Sequence, residues 1–64
     1  DGFIDLNEAT SEQLQTINGI GPAIAGRILD YRTRIGRFTS VDQLLDVSGI
    51  GTKTLQKIRE KVKV

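Results

Sequence analysis

Sixty-four residues with nine Lys and Arg, eight Asp and Glu and a net charge of +1 allow a single thin domain, because a chain of this length buries only about 60% of its unfolded surface. With no cysteine and no histidine there is no disulfide, no zinc cluster, no thiol nucleophile and no usual general base near neutral pH, so packed helices must supply the core and enzymatic readings do badly. No apolar run approaches the roughly 18 residues that span a bilayer, no signal-peptide pattern is visible, and the opening Asp1-Gly2, without an initiator methionine, reads as the start of a piece of a longer chain.

Phe3-Ile4-Asp5-Leu6 is expected to lie extended, its apolar side chains covering one end of the core. Thr10-Ser11-Glu12-Gln13 fits a capping box, with an acidic residue suited to the positive end of a helix. A short helix over about 11–17 follows, with Leu14 and Ile17 on one face. The run Gly19-Ile20-Gly21 breaks it, since glycine accepts positive φ at no steric cost. Pro22 suits a first helical position, and Ile24, Ala25, Ile28, Leu29 and Tyr31 make the stripe of a longer amphipathic helix that Gly36 stops. Gly26 within it costs up to about 1 kcal/mol relative to Ala and is read as permitting a close helix crossing. Tyr31 and Phe38 are read as packing residues rather than base-stacking platforms. A second capping box, Ser40-Val41-Asp42-Gln43, opens a helix over about 41–47. Gly49-Ile50-Gly51 ends that helix, and Leu55, Ile58 and Val62 stripe the last one. Strand signals are missing, so the reading is four helices and no sheet.

An offset of thirty residues explains this order. It lays Thr10 on Ser40, Gln13 on Gln43, Leu14 on Leu44, Ile17 on Val47, Gly19-Ile20-Gly21 on Gly49-Ile50-Gly51, Arg27 on Lys57, Ile28 on Ile58 and Asp30 on Glu60, without a gap. The domain is a tandem duplication over residues 1–64, one helix, hairpin and helix at about 10–35 and another at about 40–63, and pseudo-twofold symmetry is expected between them. Charge follows the same rhythm. Residues 1–17 sum to −4, 18–37 to +3, 38–46 to −2 and 47–64 to +4, a segregation that hints at a polyanion-facing side.

A glycine hairpin leading straight into a helix suits phosphate. Its backbone can be approached closely, the first helical N–H groups have no internal acceptor, and the helix dipole adds partial positive charge. Ile20 and Ile50 can plug the gap between helices and hold the turn. Two such hairpins related by a twofold match the two strands of a DNA duplex. The candidate contacts are Gly19, Ile20, Gly21, Ala23 and Arg27 in the first copy, and Gly49, Ile50, Gly51, Lys53, Thr54 and Lys57 in the second. Nothing suggests base reading, so the expected partner is double-stranded DNA, bound independently of sequence with micromolar-order affinity and strong salt dependence. No small-molecule substrate and no resident cofactor are expected, with a monovalent cation at a hairpin left open.

Asp5-Leu6-Asn7, Ala9-Thr10, Leu14, Ile17-Asn18-Gly19-Ile20-Gly21, Ala25, Ile28, Tyr31-Arg32, Gly36-Arg37-Phe38, Leu44-Leu45 and Gly49-Ile50-Gly51 together resemble the C-terminal domain of the ComEA competence family. The Leu-Asn-x-Ala-Thr entry and the Tyr-Arg…Gly-x-Phe connector are the most specific parts. The resemblance implies an all-α tandem helix-hairpin-helix domain acting as a DNA receptor in natural transformation. It implies a place outside the cytoplasmic membrane, anchored or periplasmic, and a membrane DNA-import channel as a further partner. Many members carry a basic residue after the first hairpin where this chain has Pro22-Ala23-Ile24, which predicts a weaker first hairpin. The alternative is a protein-docking or structural helix-hairpin-helix module that does not bind DNA.

Overall fold

The computed structural model describes residues 2–64, and among these the chain forms three α-helices, one 3-10 helix and two strands of two residues each. Strand β1 is Ile4–Asp5, helix α1 Ser11–Gln15, helix α2 Pro22–Ile35, the 3-10 helix Val41–Asp46, helix α3 Thr52–Ile58 and strand β2 Val62–Lys63. The fold class is all-α, with short helix, glycine turn and second helix occurring twice.

Both capping boxes form. The Thr10 hydroxyl accepts from Gln13 N–H at 3.1 Å while the Gln13 side chain accepts from Thr10 N–H at 2.9 Å. In the second copy the Ser40 hydroxyl accepts from Asp42 N–H at 3.1 Å and Gln43 Oε1 accepts from Ser40 N–H at 3.1 Å. The helices they open are shorter or tighter than expected: α1 stops at Gln15, and its counterpart is 3-10. Leu14 N–H still reaches four residues back, to the Thr10 carbonyl, whereas Gln43 N–H reaches three back, to Ser40. A single turn is too short for α-helical cooperativity to enforce one pattern. Helix α2 has Gly21 as N-cap, Pro22 at its start, Arg32 and Arg34 in its last turn, and Gly36 as C-cap with its N–H on the Arg32 carbonyl at 2.9 Å.

The core obeys the thirty-residue offset. Leu14 and Leu44, Ile17 and Val47, Ile20 and Ile50, Ala25 and Leu55, and Ile28 and Ile58 are all buried. Each fully buried leucine or isoleucine of this set contributes roughly 1.5–3 kcal/mol. Leu6 and Phe38, outside these pairs, are also fully buried, and the Tyr31 ring lies 5.7 Å from that of Phe38, in keeping with their reading as packing residues.

Four expectations are corrected. A sheet of minimal size exists, because β1 and β2 pair in parallel, Ile4 with Val62 and Asp5 with Lys63, through Ile4 N–H to the Lys61 carbonyl at 2.8 Å and Leu6 N–H to the Lys63 carbonyl at 2.9 Å. Val62 is accordingly a buried strand residue and not part of a helical stripe. The extended entry segment has unsatisfied backbone groups, and the end of the chain leaves its helix after Ile58 to satisfy them. Phe3 does not join the core and stays 47% exposed, although Leu6 is buried and Ile4 packs against it. Gly26 marks no close crossing, since a Cβ built there meets nothing within 4 Å.

Asn7 and Arg32 fasten the entry segment. Phe38 N–H donates to Asn7 Oδ1 at 2.6 Å, and Asn7 Nδ2 returns a bond to the Phe38 carbonyl at 3.1 Å. Arg32 Nη1 donates to the carbonyls of Leu6 and Ala9 at 3.0 and 2.9 Å. The most specific parts of the family pattern are therefore a scaffold joint, far along the chain from either hairpin.

Candidate nucleic-acid interface

The two hairpins have nearly the same backbone. Gly19 and Gly49 sit at φ 98° and 97°, the left-handed region where glycine alone is unstrained. Ile17 and Val47 carbonyls accept the N–H of Ile20 and Ile50 at 3.1 and 3.0 Å, closing each turn. Ile20 and Ile50 then drop into the core at 4% and 5% exposure, as the plug reading expects. Gly21 and Gly51 are extended N-caps with no side-chain cap bond, and a Cβ at either would meet nothing within 4 Å.

The amides at each helix start follow from this. Ala25 N–H is taken by the Gly21 carbonyl and Leu55 N–H by the Gly51 carbonyl, both at 2.9 Å. The earlier helical amides have no intrahelical acceptor. In the second copy these belong to Thr52, Lys53 and Thr54. In the first they belong to Ala23 and Ile24, because Pro22 has none. Ala23, Lys53 and Lys57 are exposed, and Thr54 is half-buried.

The structure brings the hairpins against one another. Arg27, on α2, donates from Nη1 to the Ser48 carbonyl at 3.2 Å. A Cβ on Gly49 would stand 2.6 Å from Ile24 Cδ1 and 3.0 Å from Arg27 Nη1. The second hairpin therefore rests on the first two turns of the helix that the first hairpin opens. On the other side, Lys57 of α3 and Lys61 border one open pocket together with Thr16, Ile17 and Asn18, directly before the first hairpin. Ser48 and Asn18 escaped sequence reasoning, which dwelt on the glycines and on cations near them in the chain. The signal was present in the offset of thirty, which lays Asn18 on Ser48 as it lays Arg27 on Lys57.

Other charged groups are engaged away from the hairpins. Arg59 pairs with Asp42, and the Tyr31 hydroxyl donates to Asp46 Oδ2 at 2.8 Å. That hydrogen bond, helped by partial desolvation and the nearby negative charge, raises the Tyr31 pKa. Among the described residues no helix is long and apolar enough to cross a membrane.

The family described as "Helix-hairpin-helix motif" matches residues 2–63. The chain is 43% identical over 62 residues to ComE operon protein 1 of Bacillus subtilis, covering 97% of this chain and 30% of that one. It is 40% identical over 60 residues to an uncharacterized protein of Haemophilus influenzae, covering 92% of this chain and 54% of that one. At 38% over 59 residues it matches the human endonuclease/exonuclease/phosphatase family domain-containing protein 1, covering 92% of this chain but 10% of the human one. The chain thus spans between a tenth and about half of the relatives it resembles. On the match across residues 2–63 and the repeated hairpin geometry, the chain belongs to the helix-hairpin-helix family, as a tandem domain of the ComEA type.

Proposed function

We propose that this domain binds double-stranded DNA through the backbone amides of its two hairpins, without reading sequence and without catalysis. The observation that carries the reading is the packing of the second hairpin on the helix that the first one opens, with the exposed Arg27 on the second hairpin and Lys57 bordering the approach to the first. Two adjacent backbone anion sites related by a twofold suit two phosphate strands. Similarity to ComE operon protein 1 of Bacillus subtilis supports a setting in DNA uptake, with the domain outside the cytoplasmic membrane handing duplex DNA to an import channel.

The test is an anisotropy titration of unrelated short duplexes at several salt concentrations. Neutralising about four phosphates predicts a slope of about −3.6 in log affinity against log salt, with matching affinities across sequences. A folded chain that ignores every duplex at low salt refutes the proposal and leaves the docking-module reading.

A further inference from the structure

The reading of the hairpins as DNA contacts treats each copy as bringing its own cation, Arg27 to the first hairpin and Lys57 to the second. The geometry points elsewhere. Arg27 Nη1 lies on the Ser48 carbonyl at 3.2 Å and 3.0 Å from the place a Gly49 Cβ would occupy, so its guanidinium sits on the second hairpin. Lys57 lines its pocket with Thr16, Ile17 and Asn18, so it stands at the approach to the first. The two residues correspond under the thirty-residue offset that relates the copies, but Arg27 touches the opposite hairpin whereas Lys57 only borders the approach to the one opposite it, since a Cβ on Gly19 would meet nothing within 4 Å.

We propose that the two motifs exchange cations, Arg27 of the first completing the phosphate grip of the second hairpin and Lys57 of the second completing that of the first. The proposal rests on the DNA-binding reading above and deepens it. A carbonyl bond takes one of the five N–H donors of a guanidinium and none of its charge. Arg27 therefore orients on the hairpin and keeps donors for an anionic oxygen there. Arg32 and Arg59, by contrast, are committed to scaffold carbonyls and to Asp42. A single copy, cut from its partner, would carry a hairpin without its cation. The pair is the functional unit.

Coupling decides the matter, by double-mutant cycles on a short labelled duplex of mixed sequence at low salt. Gly21→Glu and Gly51→Glu disable one hairpin each, at positions where the backbone is extended and a side chain meets nothing. Arg27→Ala is expected to weaken binding about tenfold and to lower the salt slope by about one. It should add little to Gly51→Glu and its full effect to Gly21→Glu. Lys57→Ala should behave in mirror image. Arg27→Gln keeps a donor for Ser48 without the charge, so the slope falls with it too if Arg27 meets phosphate. An unchanged slope in both Arg27 variants makes the residue a mere brace and overturns the proposal, as does coupling of Arg27 to Gly21 in place of Gly51. A wild-type chain that ignores the duplex removes the functional reading, and this inference with it. A binding wild type with the opposite coupling removes this inference alone.

Discussion

The first and second hairpins differ by one degree at their left-handed glycines and by one percentage point in the burial of their isoleucines, yet they offer different chemistry. The second opens a helix whose first three residues all carry an N–H, with Lys53 among them and the Arg27 guanidinium alongside. The first opens on Pro22, which has no N–H, and on Ala23, which has no charge. Backbone shape is set by the glycine-isoleucine-glycine run and the cavity that receives the isoleucine. The proposed grip on phosphate depends on the residues that follow, and these differ between the copies. Equal geometry is thus expected to carry unequal grip.

Charge placed on the hairpins should expose that inequality most strongly. Gly51→Glu is expected to weaken duplex binding about a hundredfold by setting a carboxylate against phosphate, and Gly21→Glu about tenfold. Helical content by circular dichroism should stay near wild type in both. Equal losses would mean that the hairpins contribute alike despite their different donors.

Stability separates the copies next. Gly19→Ala adds only the strain of a positive φ, about 1–2 kcal/mol. Gly49→Ala adds the same strain and a methyl 2.6 Å from Ile24 Cδ1, which the isoleucine relieves by turning its end aside at about 1 kcal/mol more. Urea melts reporting equal losses would show that the second hairpin does not press on α2. The caps should give a smaller effect without such asymmetry. Thr10→Ala and Ser40→Ala each remove one hydroxyl acceptor, at about 1 kcal/mol, and a cap loss confined to α1 would show that the 3-10 turn does not depend on Ser40.

The least effect concerns Tyr31, which ties the first copy to Asp46 of the second. Its folded pKa is raised, so the folded state holds the phenol proton more tightly than the unfolded state. The stability from this link is present below the ordinary tyrosine pKa and fades as pH rises through the raised value. An ultraviolet titration should place the Tyr31 midpoint above that of free tyrosine, and Asp46→Asn should move it back. A midpoint unaffected by Asp46→Asn would dissolve the link.

Much of the site was legible because its parts are local. Thr10 with Gln13 and Ser40 with Gln43 are close enough in the chain that residue type and spacing dictate the bonds. Gly19 and Gly49 announce turns because no other residue adopts their backbone cheaply. Apart from the 3-10 form of Val41–Asp46, the misread features turn on what the fold places around a residue. Gly26 suggested a crossing, but a Cβ there would meet nothing within 4 Å. Val62 fitted a helical period, yet it pairs with Ile4 because β1 needs acceptors for its amides.

The thirty-residue repeat determined the helical class, the turns and which residues form the core, since each follows from short-range backbone preference and a periodic apolar pattern. Tertiary structure alone decided which hairpin Arg27 lies against. Arg27 is eight residues from Gly19 and twenty-one from Ser48, and it bonds to Ser48, because the two copies pack across one another and chain distance does not constrain side chains that meet over that crossing.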